Sequence, residues 1–356
     1  MRIGSVGYAT AQGLGVLAKA FYDNNVVTDY MVVLHGRRET HMEWYPRSLC
    51  VTSLRDPRQL KMMMDFCSKM DAMLFFETPF RWELIDHCRK QGVKTYLMPM
   101  YECMPQRLPS TPDEFLCPSL LDYQYYCDQP ELVNTPVIPF STCQGTHEKI
   151  ARFTPVPVDV PWKLREKANV FVHNAGNGGL RNRNGTIDLV HALKFIRSPA
   201  QILIYTQCEN LFNEIEPLVA KESSRVDVRL SFGTRLFNQL YVGGDVFVFP
   251  EKFNGLSLPL QEACASGMLV MGTDRFPMNT WLPREPLIPV SGYRTETVGG
   301  SCNTYQAAVV RPEDIAAKID EWYGRDIAGL SLSGKSWAES MSWQVLGPMY
   351  QEVISK

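Results

Sequence analysis

The stretch from Asp245 to Asp274 reads "DVFVFPEKFNGLSLPLQEACASGMLVMGTD", and its pattern is that of a strand, a turn, a helix and a second strand. The apolar runs "DVFVFP" and "LVMGTD" show no apolar–polar alternation, which is typical of strands buried on both faces of a parallel sheet. Between them, a Gly-Leu turn leads to the helical stretch "LQEACASG". Strand, helix and strand in this order predict an α/β fold around a parallel sheet.

The same alternation extends along the chain in both directions. The N-terminal part predicts strands at "RIGSVGY", "YMVVLHG", "AMLFFET" and "KTYLMPM", and helices at "GLGVLAKAFYDN" and "RWELIDHCRKQG". The second half adds strands at "NVFVHNAG", "AQILIYT" and "RVDVRLSFG", and helices at "IDLVHALKFI" and "ENLFNEIEPLVAKE". Prolines are frequent between residues 105 and 162, and this density indicates loops and an inter-domain connection.

The chain of 356 residues is long for a single core, so we predict two Rossmann-like, doubly wound domains that face a cleft. Ligands of such folds bind outside the carboxyl ends of the strands. The predicted domains are residues 1–160 and 161–335, followed by a C-terminal helix at 336–356. That helix contains Gly347 and Pro348, where we expect a kink.

Composition limits the classes of function. A hydrophobic content of 45% with 21% charged residues is that of a globular protein, and the net charge of −2 disfavours nucleic acid as a partner without excluding it. The 10 cysteines form no C-x-x-C pair, which indicates reduced thiols and no zinc site. The sequence shows neither a signal-peptide core nor a run of about 20 apolar residues. We therefore expect a soluble cytoplasmic protein without a membrane span.

The first candidate loop is "HNAGNGGLRNRNG", which begins at His173 and lies between a strand and a helix. Its glycines allow close backbone approach, and Arg181 and Arg183 supply positive charge near a helix N-terminus. Such a loop suits a diphosphate, although a flexible loop with two solvated arginines remains an alternative. Thr206 in "YTQ" and Phe232 in "SFG" end neighbouring strands. These strand ends either contact a nucleobase or are ordinary strand exits without a ligand.

The second candidate loop is "NGLSLPLQEA", which begins at Asn254. The backbone N–H groups of Gly255 and Leu256 are expected to face a phosphate at a turn that leads into a helix. Glu262 is expected in the first turn of that helix, where it either accepts hydrogen bonds from ribose hydroxyls or only complements the helix dipole.

These stretches resemble the retaining glycosyltransferases of the GT-B fold, in the large family that includes sucrose synthases and phosphatidylinositol mannosyltransferases. That family carries a strand like "ADVFVLPS", then a run like E-G-F-G-L-P-x-x-E-A, then "MACGxPVVATD". Here "GGDVFVFP" and "NGLSLPLQEACASGMLVMGTD" have the same spacing, and "RNGTIDLVHALKFI" and "SWQVLGPMYQEV" look like the family's phosphate-loop helix and closing helix. The resemblance covers most of residues 168–356 and reaches the N-terminal half only through its architecture.

The resemblance implies a nucleotide-diphosphate sugar bound by the second domain, an acceptor bound by the first, and transfer with retention of anomeric configuration. Glu262 matches the acidic position that binds the donor's ribose, and Gly255 and Leu256 match the backbone donors to the phosphate. Arg183, with Arg181, falls where the family has its basic pair. The closing helix is implied to return to the N-terminal domain.

The chain departs from the family at two places. Asn254 stands where the family has the first Glu of its E-x7-E motif, so a charge near the reacting carbon is replaced by an amide. Asn184 stands where a Lys usually precedes the Gly of the phosphate loop, which leaves the register of the basic pair open. Glu251, three residues before Asn254, is a candidate to fold back and compensate for the missing carboxylate.

In the first domain, "GYATAQGLG" follows the first strand and includes Gly13. It resembles a glycine-rich loop that approaches the donor phosphate or the acceptor, and its alternative is a tight strand-to-helix turn. His35, Glu77 and Glu102 end strands, where such groups orient an acceptor hydroxyl and take its proton, and we prefer Glu77. Arg37 and Arg38 form either an anion-binding or a solvated turn.

We therefore expect a retaining glycosyltransferase. No Asp-x-Asp occurs in the sequence, so we expect no metal or cofactor, with arginines and helix N-termini stabilising the leaving diphosphate. The acceptor stays open among a small molecule, a glycan, a lipid, a protein and a modified base in DNA. A non-catalytic nucleotide-sugar-binding protein, a phosphorylase and an epimerase are the alternatives. The catalytic candidates are Glu77, Arg183 and Asn254, and the donor-binding candidates are Gly13, His173, Arg181, Arg183, Thr206, Phe232, Asn254, Gly255, Leu256 and Glu262.

Overall fold

The computed structural model describes residues 1–36, 39–105, 108–123, 157–176, 182–223, 226–233, 240–297 and 304–355. The chain divides into two compact units. The first combines the described part of residues 1–157 with residues 342–356, and the second comprises residues 158–297 and 304–341. Residues 336–341, which the sequence analysis grouped with the closing helix, belong to the second unit.

The first unit contains a parallel six-stranded sheet in the order β3-β2-β1-β4-β5-β6. The chain thus winds outward from β1 in one direction and then, from β4, in the other, which is the doubly wound Rossmann order. All four strands predicted in this part of the chain are present. The strands are β1 (Ile3–Tyr8), β2 (Asp29–Val33), β3 (Leu49–Val51), β4 (Ala72–Glu77), β5 (Lys94–Pro99) and β6 (Glu114–Phe115).

Five helices of the described residues belong to this unit, and β3 and α2 are among the elements that the sequence pattern did not predict. Helix α2 has a clear start, because Asp56 accepts a hydrogen bond of 2.9 Å from the backbone N–H of Arg58 and Pro57 takes the first helical position. The helices are α1 (Gly13–Asp23), α2 (Pro57–Cys67), α3 (Glu83–Lys90), α4 (Leu120–Tyr123) and the C-terminal α10 (Trp343–Ser355).

Helix α10 packs on the N-terminal unit, as predicted. The ring of Phe21 in α1 meets Trp343 and Tyr350 edge-on at 5.0 and 4.9 Å, and Tyr96 in β5 donates a hydrogen bond of 3.2 Å to the carbonyl of Val353. The predicted single stretch is in fact two helices. Ser342 starts the second one, since its carbonyl accepts from the N–H groups three and four residues later, and the helix continues through Pro348.

The second unit contains a parallel five-stranded sheet in the order β11-β10-β7-β8-β9 and a separate antiparallel hairpin, β12–β13. Its parallel strands have the Rossmann order again, with the direction of winding changing between β7 and β10. The strands are β7 (Val170–Gly176), β8 (Gln201–Thr206), β9 (Asp227–Phe232), β10 (Val246–Phe249), β11 (Leu269–Gly272), β12 (Gly292–Thr297) and β13 (Thr304–Val309). The helices are α5 (Thr186–Ala192), α6 (Glu209–Glu222), α7 (Leu258–Ala265), α8 (Pro312–Trp322) and α9 (Ala328–Ser340).

Strand β10 shows why its sequence lacks alternation. All four of its residues are buried, with Val246 and Val248 in one apolar cluster and Phe247 and Phe249 in another that includes Leu260 of α7. Both faces of the strand are therefore covered, and the burial of each apolar side chain stabilises the folded state. Among the described residues, no helix is both long and apolar enough to cross a membrane.

Candidate functional site

Two loops meet where the second sheet changes its direction of winding. One follows β7 and the other follows β10, and the backbone N–H of Lys252 donates a hydrogen bond of 2.8 Å to the carbonyl of Arg183. Gly185, at a φ of +71°, brings the first loop so close that a Cβ there would lie 2.1 Å from the carbonyl oxygen of Pro250. The switch point of such a sheet is where ligands bind, so this pair of loops is the candidate site.

The turn from Asn254 to Ser257 exposes unused backbone donors. Oδ1 of Asn254 accepts a hydrogen bond of 2.9 Å from the backbone N–H of Ser257, which has a left-handed φ of +48°. Gly255 and Leu256 lie between these two residues, and their N–H groups make no hydrogen bond with any described residue. Consecutive unpaired amides ahead of α7 form an arrangement suited to an anion.

Beneath this turn lies the carboxylate of Glu251, which has no exposed surface. Its Oε2 accepts a hydrogen bond of 2.8 Å from the hydroxyl of Ser257, while Oε1 makes no well-aligned hydrogen bond with a described residue. Burial raises the pKa of Glu251, and the positive charges of Arg275 and Arg183 and the polar groups of Ser257 and Asn254 oppose that rise. The site therefore contains a buried carboxylate that is subject to the positive charges of two guanidinium groups.

Arg275 is the principal residue that the sequence analysis missed. It is buried, donates to the carbonyls of Asn254 and Phe276, and lies 5.6 Å from the ring of Phe253. The contact with Asn254 ties the turn after β10 to the segment after β11. A signal was available, because Arg275 directly follows the predicted buried strand "LVMGTD", and the carboxyl ends of parallel strands in one sheet meet at the same edge.

Glu262 lies in the second turn of α7, one turn later than predicted. The phenol of Tyr241 donates a hydrogen bond of 2.6 Å to its Oε2, and no described residue donates to Oε1. Burial raises the pKa of Glu262 to about 7, and the bond from Tyr241 opposes the rise. The carboxyl thus keeps one oxygen for a further donor.

His173 lies in β7 and is fully buried. Its Nδ1 is 2.8 Å from the carbonyl of Val248, so Nδ1 carries the proton, and Nε2 accepts from the hydroxyl of Thr186 at 2.8 Å. Burial lowers the pKa of His173 to about 4, and the ring is neutral. With both nitrogens bonded inside the protein, the geometry gives His173 a supporting role between β7, β10 and α5, and contact with a donor stays a prediction without structural support.

The two strand-end candidates differ in exposure. Thr206 is fully buried, and its hydroxyl donates to the carbonyl of Gly176 at 3.2 Å and accepts from the N–H of Cys208 at 3.1 Å. Phe232, at the end of the neighbouring strand, is 51% exposed and packs against Phe212 at 5.8 Å between ring centroids. The exposed part of the Phe232 ring is available to a base. The hydroxyl of Thr206, in contrast, is used in hydrogen bonds inside the protein.

Part of the predicted phosphate loop after β7 lies outside the described residues, including Gly178, Gly179 and Arg181. Asn184, in the place of the usual Lys, donates to the carbonyl of Ala175 at 2.9 Å and so holds the loop. Lys252, not predicted, forms an ion pair of 2.8 Å with Asp188 at the start of α5.

The first unit presents its candidates at the ends of its strands. Helix α1 starts at Gly13, and a Cβ at Gly15 would lie 2.2 Å from the carbonyl oxygen of Thr10, so a tight turn requires at least this glycine. Glu77 ends β4 with a φ of +63°. The pKa of Tyr8 is raised mainly by the burial of its phenol and, to a smaller extent, by the negative charge of Glu77. His35 packs against the same Tyr8 ring at 4.8 Å.

Arg37, Arg38 and the side chain of Glu102 lie outside the described residues. Within the described ranges, no group of three or more His, Cys, Asp and Glu side chains is placed to hold a metal ion. The roles assigned to Gly13 and Glu77 stay predictions.

Known structures resemble this chain over its whole length. HepE from Anabaena in complex with UDP superposes with a TM-score of 0.61 at 10% identity, covering 100% of this chain and 99% of HepE. WaaG, a glycosyltransferase involved in lipopolysaccharide biosynthesis, gives a TM-score of 0.56 at 11% identity, covering 99% of each chain. The chain has the GT-B fold. The predicted fold class is thereby confirmed.

A further similarity is partial. The GtfA/B complex gives a TM-score of 0.56 at 16% identity over 84% of this chain, which spans 60% of the length of that protein. A pneumococcal O-GlcNAc transferase GtfA in complex with UDP and GlcNAc gives the same TM-score. No protein-family model matches the sequence, and no curated protein matches it.

Proposed function

We propose that this protein is a retaining glycosyltransferase that uses a nucleotide-diphosphate sugar, with UDP as the preferred nucleotide. The observation that carries the proposal is the turn at Gly255 and Leu256, whose two unpaired amides precede the helix that bears Glu262 at the switch point of the sheet. HepE and GtfA, which share the fold, are in complex with UDP. The E-x7-E resemblance supports retention.

The donor's groups correspond to features of the second unit. The diphosphate accepts hydrogen bonds from the amides of Gly255 and Leu256. The positive charge of Arg183 attracts it, and Arg181 is the predicted second cation. A ribose hydroxyl donates to the available Oε1 of Glu262, whose Oε2 is held by Tyr241. The base lies against Phe232, whose ring is exposed.

In the transfer, the bond between the anomeric carbon and the diphosphate oxygen breaks, and the acceptor oxygen bonds to the same face of that carbon. The acceptor's proton passes to the released diphosphate oxygen, so no group is oxidised or reduced. Preorganised amides and guanidinium groups stabilise the charge that develops on the leaving group. These groups are the stabilisers that the chain itself offers, and we propose transfer without a resident metal. Glu77 remains our acceptor-side candidate.

Calorimetric titration of the protein with UDP, GDP and ADP tests the nucleotide, and release of UDP from a panel of UDP-sugars tests turnover. We expect UDP to bind most tightly, and Glu262→Ala to weaken it about tenfold or more because a hydrogen bond to a charged group is lost. Glu216→Ala, on the exposed face of α6, is the matched control and should change neither quantity. Unchanged UDP binding in Glu262→Ala would contradict the assignment.

A second candidate function follows from Asn254, which puts an amide where a carboxylate is expected. A protein that binds a nucleotide sugar without transferring it would keep the unpaired amides and Glu262 and show no turnover. Hydrolysis or transfer from any sugar nucleotide, above that of the Glu262→Ala variant, excludes this second function.

A further inference from the structure

Within seven residues, this chain departs from the family run at three polar positions. Where the family has Ser, Glu and Gly, this chain has Glu251, Asn254 and Ser257. The side chains of the first two converge on the third: Glu251 accepts from the hydroxyl of Ser257 at 2.8 Å, and Asn254 accepts from its backbone N–H at 2.9 Å. The three changes therefore form one contact unit in the folded protein.

Ser257 is the position that needs such contacts. Its φ of +48° and ψ of 60° are left-handed, a conformation that glycine adopts freely and that strains residues with a Cβ. A serine there persists only where its surroundings fix it. Its two polar groups, the hydroxyl and the N–H, are the groups that Glu251 and Asn254 hold.

The held conformation matters because of the two amides beside it. Gly255 and Leu256 precede Ser257, and their N–H groups make no hydrogen bond with described residues. If Ser257 relaxed to right-handed backbone, the direction of these amides would change with it. The carboxylate of Glu251 has no exposed surface and makes one well-aligned hydrogen bond with the described residues, the one from the hydroxyl of Ser257.

We propose that Glu251 is a positioning residue that acts through Ser257, keeping the turn in the conformation in which its amides bind the donor diphosphate. This proposal rests on the proposed function. Asn254 holds the same turn by accepting the hydrogen bond from the backbone N–H of Ser257.

A double-mutant cycle between Glu251→Ala and Ser257→Gly tests the proposal. UDP and uridine are titrated into the four proteins by calorimetry. We expect Glu251→Ala to weaken UDP about tenfold, because the bond that holds Ser257 is lost, and to leave uridine binding unchanged, because the amides contact phosphate. In the Ser257→Gly background, where no left-handed strain has to be held, removal of Glu251 should change UDP affinity less than twofold.

Two control variants accompany the cycle. Glu251→Gln keeps an acceptor for the Ser257 hydroxyl and should bind UDP like the wild type within about threefold. Ser333→Gly, at an exposed right-handed position of α9, should not relieve the effect of Glu251→Ala. A tenfold loss that persists in the Ser257→Gly background, or an equal loss of uridine binding, overturns the proposal.

The inference is separable from the proposed function. If the wild type binds no nucleotide, the proposed function fails, and thermal unfolding of the same four proteins decides whether Glu251 still acts through Ser257. We then expect Glu251→Ala to lower the melting temperature more in the wild type than in the Ser257→Gly protein. Equal decreases in the two backgrounds overturn the inference.

Discussion

The phenol of Tyr241 donates a hydrogen bond of 2.6 Å to Oε2 of Glu262, and both side chains are buried. Tyr241 precedes β10 and Glu262 lies on α7, so the bond joins two segments on either side of the strand. The carboxyl is thereby fixed in orientation, and its Oε1 remains without a donor among the described residues. Several properties of the proposed site depend on this pair.

Tyr241→Phe should weaken UDP binding and raise the pKa of Glu262 above about 7, because the hydrogen bond that opposes the burial effect is lost. We expect a loss of about tenfold or more at pH 7, which corresponds to one hydrogen bond to a charged group. Titration with UDP between pH 6 and 9 measures both effects. Tyr293→Phe, on exposed β12, is the matched control, and equal losses in the two variants would contradict the prediction.

Glu262 should make stability decrease with rising pH. Its pKa in the folded protein is about 7, against an ordinary value of 4.5, so the folded state binds the proton more tightly. The corresponding stabilisation is fully present below pH 4.5 and is lost as the pH rises through 7. Relative to Glu262→Gln, the wild type should lose about 3 kcal/mol between pH 4.5 and 8, measured by urea unfolding. A constant difference between the two proteins would show that the carboxyl is not held protonated.

His173 should act in the opposite direction. Its pKa falls from 6.5 to about 4 on burial, so its stabilisation is present above pH 6.5 and is lost as the pH falls through 4. His173→Gln should be less stable than the wild type at pH 7, and the gap should narrow by about 3 kcal/mol towards pH 4. Since Glu262 and His173 have opposing effects between pH 4.5 and 6.5, the wild type alone should show a shallow pH dependence there. A gap that widens towards low pH would contradict a neutral buried ring.

Asn254→Glu should impair the protein instead of restoring the family's charge. The new carboxylate would lie beside the buried Glu251, and two like charges in a buried site repel. We expect turnover of the donor, measured as UDP release, to fall about tenfold or more. In a Glu251→Ser background the repulsion is absent, so adding Asn254→Glu should lower turnover by less than about twofold relative to Glu251→Ser alone. Losses that simply add in the double variant would show that the two positions are independent.

Gly185→Ala should destabilise the second unit. Its φ of +71° strains any residue with a Cβ, and the added carbon would lie 2.1 Å from the carbonyl oxygen of Pro250. Gly324→Ala, at a φ of +75° with no atom within 4 Å of the new Cβ, measures the strain alone. We expect about 1 kcal/mol for Gly324→Ala and at least about 3 kcal/mol for Gly185→Ala in chemical unfolding. Equal costs would mean that the loops after β7 and β10 are not in contact.

Strands β1, β4, β5 and β10 were predictable because each is a short apolar run that is buried along nearly its whole length. The helix at Glu209–Glu222 has the predicted bounds, since its apolar residues recur at helical spacing. Helix α2 was missed although Asp56 and Pro57 form a recognisable helix start. Strands β12 and β13 were missed because half of the residues in each are exposed and neither contains a continuous apolar run.

The sequence by itself determined the order of strands and helices and the position of the turn at Asn254 ahead of Glu262, because these depend on local patterns and spacing. Only the tertiary structure decided that His173 is bonded on both sides, that Tyr241 holds Glu262, and that Arg275 contacts the turn. It also directed Glu251 at Ser257, which the sequence left open. These relationships join segments brought together by the sheet, and a buried polar group takes its partner from whichever segment the fold places beside it.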